Sequence, residues 1–467
     1  MLYFLAVDLG TTGCRSIIFD ESLSVVSSAY EEYGLITPQE GYVEQDAELW
    51  WQLTLKTAKA AIKKSRVNPL DIRSISISSQ GITIVPVNEN CMSIYNAISW
   101  LDMRAVDETK RIENDFGNYA IFKETGKPIN AAYTLPKLLW IKDNLPEIWN
   151  AAYKFLMPLD FLMAKLTGNY YTDHSMASGT LFYDIRNCCW HEKILKYYDI
   201  PENKLPEIKF SGLSAGTILP EIADDLGLDH SCIVAIGAQD QKCAAHGVGL
   251  TNDKITVSLG TAAAITKIWD KPLTEKFSAV GWCGYTKPEA WVTEGVVNSA
   301  GTCLRWIRDL MFPADGYDVI DSEAEKSIIE GNSLLFLPFL GEKAGFIGAN
   351  FSTTRGAFAA AVMEGVAFEI RYMLDLMGID DAVESLILFG GGAKGALWCN
   401  IIAKALNRKI LVPSTAEAAG AGAAMLAAQA VGINLEPLSI SKTYFPDGNY
   451  EDKYEEYVTF RDEVRRK

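Results

Sequence analysis

A chain of 467 residues, 49% of them apolar and 22% charged, is too long for a single hydrophobic core and reads as two globular domains of about 200 residues each. Its net charge of −16 argues against nucleic acid or an anionic membrane as the main partner, because phosphate backbones select basic faces. Any anionic ligand must then be held locally, by backbone amides, a few cations or a metal. Nine cysteines lie scattered with no C-x-x-C pair and read as reduced thiols of a cytoplasmic protein. The four histidines (His174, His191, His230 and His246) show no zinc-ligand spacing.

In chain order, Met1 to Leu9 is a short apolar run broken by Asp8, with no basic leader or small-residue cleavage site, so no cleavable targeting segment is expected. It opens a segment, Leu5 to Asp20, that predicts strand, tight Gly-Thr turn, strand. Trp50 and Trp51 read as core packing. The first pattern returns at Ile255 to Asp270, where Leu259-Gly260-Thr261 aligns without a gap on Leu9-Gly10-Thr11. Glycine in such a turn lets backbone amides approach an anion closely, and the threonine hydroxyl adds a donor. Either segment alone is an ordinary hairpin. Both in register, 250 residues apart, predict a duplicated domain gripping one polyphosphate from both sides.

Further on, Ser385 to Phe389 predicts a strand, Gly390-Gly391-Gly392-Ala393 a turn, and Leu397 to Leu406 a helix. That turn would leave a flat floor for a purine and aim a helix N-terminus at phosphate. It is not the dinucleotide fingerprint, which needs G-x-G-x-x-G after an early strand. Ala418 to Asn434 carries no charge, but it is weakly hydrophobic and shorter than the roughly 20 residues of a membrane span, so a buried helix is expected.

Taken in sequence, these and other motifs resemble the FGGY family of carbohydrate kinases, within the actin, hexokinase and heat-shock-chaperone superfamily. Asp8-Leu-Gly-Thr-Thr-Gly-Cys-Arg15 is similar to the family's first phosphate loop, and Gly41-Tyr-Val-Glu-Gln-Asp46 to its G-W-V-E-Q-D stretch. Ile98-Ser-Trp-Leu-Asp-Met-Arg104 resembles a W-x-D-x-R segment and Lys137-Leu-Leu-Trp140 a K-x-x-W segment. Leu166-Thr-Gly168, Asp173 and Ala177-Ser-Gly-Thr180 continue the series, and Gly237-Ala-Gln-Asp-Gln241 falls on the catalytic G-x-x-D. Asn298-Ser-Ala-Gly301, Met363-Glu-Gly-Val-Ala367 and the Gly390 cluster complete it.

The resemblance implies an α/β protein of two actin-like, ribonuclease H-like domains, each a mixed sheet flanked by helices, with a cleft between them. Their expected extents are 1–245 and 246–467. It also implies an ATP-dependent kinase, with Mg²⁺, acting on a small sugar without nucleic acid or membrane, cytoplasmic and homodimeric. Asp240 would take the proton of the substrate hydroxyl, with helix capping as its alternative role, and Gln241 would bond sugar hydroxyls. Asp8 would organise Mg²⁺ through water, or else stabilise its turn. Gly10, Thr11, Thr12 and Arg15 would face ATP phosphates from one half, and Gly260 and Thr261 from the other. Gly301, Gly391, Gly392 and Ala393 would shape the nucleoside pocket, with Arg305 either beside it or a solvated helix charge. Trp100, Asp102 and Arg104 would bind sugar or, in the case of the last two, pair with each other.

Departures from the family bear on the substrate. Glycerol kinases carry Gln-Arg-Glu where this chain has Gln80-Gly81-Ile82, and a substrate-binding tyrosine where Ala132 falls, beside Tyr133. The Gln-Met-His-Gly of xylulokinases is absent too, and Gly341-Glu-Lys-Ala-Gly345 is a shortened form of another family loop. The overall pattern resembles the xylulokinase-like branch, so a ketopentose of the xylulose or ribulose type is expected. The alternatives are glycerol, erythritol or gluconate as acceptor, or a non-sugar ATPase of the superfamily.

Overall fold

The computed structural model describes residues 2–275, 280–380, 382–448 and 450–466. The chain forms two compact units, one comprising 1–249, 268–292 and 417–438, the other 250–267, 293–416 and 439–467.

The sheet of the first unit runs Ser214–Thr217, Ile233–Ala235, Ile72–Ser79, Tyr3–Leu9, Gly13–Asp20, Val25–Glu32, with Ala238–Gln239 pairing alongside Ile72–Ser79. Tyr3–Leu9, Ile233–Ala235 and Ala238–Gln239 are each parallel to Ile72–Ser79, whereas Gly13–Asp20 is antiparallel to both its neighbours. The sheet is therefore mixed, as expected.

The central strand Tyr3–Leu9 is buried on both faces and reads as a nearly continuous apolar run, and the two-residue alternation sorts side chains between the faces. Leu5, Val7, Ile18, Ile75 and Ile77 join one core with Trp50 of the helix Ala47–Ser65. Trp50 is fully buried there and Trp51 packs at the margin, as expected of both. Ile17 and Phe19 instead lie against Gly420, on the helix Ala418–Gln429. The Ser74 hydroxyl ties that helix down by donating to the Ala427 carbonyl at 2.6 Å. The uncharged segment is thus a buried helix, and among the described residues no helix is long and apolar enough to cross a membrane.

The second unit repeats the plan. Ala263–Trp269, Lys254–Leu259, Ser385–Phe389, Lys409–Pro413 and Ile440–Tyr444 follow one another across its sheet, the middle three parallel and the outer two antiparallel. The helices Tyr317–Ile329, Arg355–Leu376 and Ala396–Leu406 pack in series beside it. In both units a hairpin is followed by a parallel strand against its first arm. The two hairpins differ by one residue: Gly10–Gly13 links Leu9 to Cys14, whereas Gly260–Ala262 links Leu259 to Ala263.

Candidate active site

Ligands of parallel sheets bind where the carboxyl ends of the strands open into loops. In the first unit Leu9, Ser79 and Gln239 share one level, since Leu9 registers with Ser79 and Ser79 with Gln239. From these three ends leave Gly10–Thr12, Gln80–Ile82 and Asp240–Gln241. The topology thus brings together three segments spread over 230 residues of sequence.

Asp240 is the first residue of the helix Asp240–Gly247, and the capping position belongs to Gln239, whose side chain accepts from the Gln241 amide at 3.2 Å. Asp240 Oδ1 accepts from the same amide at 2.6 Å and from Gln239 Nε2. The helix is seated by glycines. A Cβ on Gly422 would collide with the Cys243 carbonyl, one on Gly247 with the Ala418 carbonyl, and one on Gly237 with the Ile77 carbonyl.

Beside Gln239 lies Gly81, where an added Cβ would come 3.1 Å from Gln239 Cγ. Ile82 holds a φ of 53°, a left-handed conformation that β-branched residues avoid. Its Cγ2 fills the space that a side chain at Gly179 would need. Such strain, about 1–3 kcal/mol, persists where surrounding structure enforces it and concentrates at functional sites.

Trp100 is 38% exposed, and its indole N–H donates to Thr11 Oγ1 at 3.1 Å. Asp102 and Arg104 are engaged with each other: Arg104 Nε and Nη2 reach the two Asp102 oxygens at 2.9 and 2.8 Å. Arg104 also reaches Glu44 at 2.7 Å and lies between the rings of Tyr42 and Trp140. The Asp102–Arg104 pair is fully buried, so of the two roles considered for it the ion pair is the one its geometry displays. Lys137 is also buried, its ammonium donating to the Ser99 carbonyl at 2.7 Å and the Ala132 carbonyl at 2.6 Å. It thereby ties the loop entering Trp100 to the loop leading into Tyr133.

The Gly10–Thr12 loop is pinned from three sides. Gly10 N donates to Gly13 O at 2.9 Å, the Tyr33 hydroxyl donates to Gly10 O, and Gln45 Nε2 donates to Thr11 O at 2.7 Å. Gln45 in turn accepts from Gln80 Nε2 at 3.1 Å. Thr12 is exposed. Beneath the loop Asp8 accepts from the Ser78 hydroxyl at 3.0 Å. Burial pushes its pKa up to about 6, the Glu417 carboxylate adding to that and the Ser78 bond and Arg15 opposing it. Arg15 is itself paired with Glu417 and lies over the Tyr30 ring. Arg15 is thus engaged with Glu417 while Asp8 is held by the Ser78 hydroxyl, and a carboxylate oxygen of that kind suits a hydrated divalent cation.

The second unit holds a cavity of about 620 Å³. It is lined by Gly260, Thr261, Gly301, Arg305, Gly391 and Gly392, six of the seven residues that sequence assigned to ATP in this half. Ala393 is buried behind them. The hairpin turn carries the site: Gly301 N donates to Gly260 O at 2.9 Å, Ala300 N to Thr261 O at 3.0 Å, and Arg305 Nη2 to Thr261 Oγ1 at 3.4 Å. Sequence reasoning missed the opposite wall, where Tyr317, Asp318 and Asp321 open the helix Tyr317–Ile329 and Trp398 closes the end. No motif marks those residues.

Among the described residues one trio, Glu124, Asp184 and His191, brings metal-capable atoms together. His191 caps the helix Glu192–Tyr197 by accepting at Nδ1 from the Ile194 amide at 3.4 Å. Its Nε2 lies 3.6 Å from Glu124 Oε2.

Comparison with known proteins agrees with this geometry. The N-terminal domain of the FGGY family of carbohydrate kinases matches residues 3–247, and the C-terminal domain of the same family matches residues 255–431. A xylulose kinase of Staphylococcus xylosus is 29% identical over 92% of this chain and 91% of its own length. A gluconokinase of Bacillus subtilis is 28% identical over 92% of this chain and 88% of its own. The crystal structure of ligand-bound xylulose kinase from Lactobacillus acidophilus shares the fold with a TM-score of 0.91 at 24% identity, covering 100% of this chain and 98% of that one. With both family domains in order along its length, the chain belongs to the FGGY family of carbohydrate kinases and is an ATP-dependent sugar kinase.

Proposed function

We propose that this kinase transfers the γ-phosphoryl group of ATP to the terminal primary hydroxyl of a ketopentose of the xylulose or ribulose type. The observation that carries the reading is the wall beside Gln239 and Asp240, built from Gly81 and a strained Ile82 rather than from charged side chains. A triol as small as glycerol needs buried polar groups to be held and to reject near-analogues. An apolar, roomier wall suits a longer sugar that bonds through hydroxyls further along its chain. Relatives that are xylulose kinases support the same reading. A gluconokinase is nearly as similar, but a sugar acid brings a carboxylate, and Arg104 and Lys137 are already engaged with Asp102, Glu44 and two carbonyls.

Phosphoryl transfer asks mainly for alignment, charge neutralisation and a proton acceptor. In this reading residues 1–245 bind the sugar, Trp100 offering a face to its carbons and Gln80, Gln241 and Asp240 meeting its hydroxyls. Asp240 takes the proton as the oxygen attacks. Thr11 and Thr12 give donors to phosphate oxygens, with Arg15 beside them. Residues 246–467 take the nucleotide, the Gly391–Gly392 floor under the purine and Gly260, Thr261 and Arg305 towards phosphate. Asp8 would hold Mg²⁺, which would supply charge neutralisation for the transferred phosphoryl group. A cytoplasmic homodimer completes the reading, and light scattering at twice the 51.5 kDa chain mass tests the dimer.

Measuring ADP release with D-xylulose, L-ribulose, D-ribulose, erythritol, gluconate and glycerol tests the substrate. A pentulose is expected to give the highest kcat/KM and glycerol a poor one; a glycerol optimum would refute the reading of residues 80–82 and 132.

A further inference from the structure

Gln45 has no role in the reaction as described so far, yet it joins the two halves of the first unit's site. It is fully buried, and both ends of its amide are committed. Its nitrogen donates to the Thr11 carbonyl at 2.7 Å, and its oxygen accepts from Gln80 Nε2 at 3.1 Å. Gln80 is held in turn by its own amide donating to Leu9 O at 2.7 Å, one residue before the phosphate loop. Across the same loop Trp100 donates its indole N–H to the Thr11 hydroxyl oxygen at 3.1 Å. Thr11 is therefore gripped at its carbonyl and at its hydroxyl by two residues, one of which also touches Gln80 and the other of which is itself a sugar-facing candidate.

The chemistry of that grip has a direction. A threonine hydroxyl that accepts from an indole N–H, which can only donate, keeps its own hydrogen for a different acceptor. Phosphate oxygens only accept. The Trp100 bond thus presets Thr11 as a donor, while the Gln45 bond fixes the backbone that carries it. Preorganised donors cost no rearrangement when charge develops in the transition state, and this is why they raise kcat rather than binding.

We propose that Gln45 is a positioning residue for phosphoryl transfer: together with Trp100 it locks Thr11 as a hydrogen-bond donor and ties the sugar side of the site to the phosphate loop. The proposal rests on the reading that Thr11 faces phosphate.

The experiment is a mutant cycle on the full-length kinase with its best sugar. Gln45→Met keeps length and volume but removes both bonds. It is expected to lower kcat on the order of tenfold while the sugar KM stays within about threefold. Thr11→Ala is expected to lower kcat at least as much, and Gln45→Met combined with Thr11→Ala to be no worse than Thr11→Ala alone, because the two act through one group. Trp100→Phe, a change at a partly exposed position that keeps an aromatic face, should show the same kcat loss and the same non-additivity, and it serves if Gln45→Met does not fold. Losses that add, an unchanged kcat in Gln45→Met, or a rise confined to the sugar KM would overturn the proposal. Normal kcat in Thr11→Ala would instead refute the underlying placement of Thr11 at phosphate, and the two failures are distinguishable.

Discussion

Asp240→Asn replaces one oxygen with an amide nitrogen and leaves the side chain its size, so it separates proton acceptance from packing. Asparagine can still accept from the Gln241 amide through its oxygen, but it cannot take a proton from an attacking hydroxyl. We expect kcat to fall about 10²–10⁴-fold, with ATP affinity by calorimetry nearly unchanged; a near-normal kcat would move the base to another carboxylate. A second residue-scale prediction concerns Asp160, fully buried, with Oδ2 accepting from the Met157 amide at 2.8 Å. Burial raises its pKa from 3.8 to about 8, the Met157 and Thr172 bonds opposing and Asp173 adding. Below 3.8 folded and unfolded chains both carry the proton; between 3.8 and about 8 the unfolded chain releases it while the folded one keeps it, so stability falls as pH rises through that window. Asp160→Asn is neutral throughout. Its Tm should exceed that of the parent by at least about 3 °C at pH 7, with the gap closing towards pH 4. At this scale the sequence exposes residue types but not their partners. Asp102 and Arg104 could be read two ways until their mutual burial was visible, and Gln45 and Lys137 were only letters in a family stretch.

Elements whose signals are local were legible. The two hairpins and the strand Ser385–Phe389 fall where alternation and glycine punctuation predict them, because a turn and its flanking strands are specified by neighbours in sequence. The seating of the helix Asp240–Gly247 on Ala418–Gln429 was not, since it depends on backbone contacts between residues about 175 positions apart. That packing yields a test. Gly422→Ala puts a methyl group into the Cys243 carbonyl and should lower both Tm and kcat, because the displaced helix carries Asp240 at its start. Gly34→Ala, where an added Cβ meets nothing, is the silent control; equal effects of the two would break the link between this contact and the site. The cavity of the second unit offers the opposite case. A Cβ on Gly391 meets nothing because that position faces the cavity, so Gly391→Val should leave Tm unchanged and raise the ATP KM by filling the floor. An unchanged ATP KM would mean that the purine lies elsewhere.

For the molecule as a whole, composition and charge narrowed the field before any motif did: an acidic chain of this length needs built-in donors to hold a polyphosphate. Two mixed sheets, each with a Gly-Thr hairpin beside a parallel strand, repeat one plan in the two units. The identity of the sugar is the least legible property, because in the proposed reading it depends on the shape that Gly81, Ile82 and Gly179 make together, and that packing cannot be read from the motif letters alone. The most direct measurement is a competition. Equimolar D-xylulose, gluconate and glycerol share limiting ATP and Mg²⁺, and the products are read by phosphorus–proton correlated NMR. The account predicts that a pentulose phosphate dominates, its phosphorus coupled to the two protons of a terminal methylene. A dominant gluconate or glycerol phosphate, or phosphorus coupled to a single ring or chain proton, would contradict it.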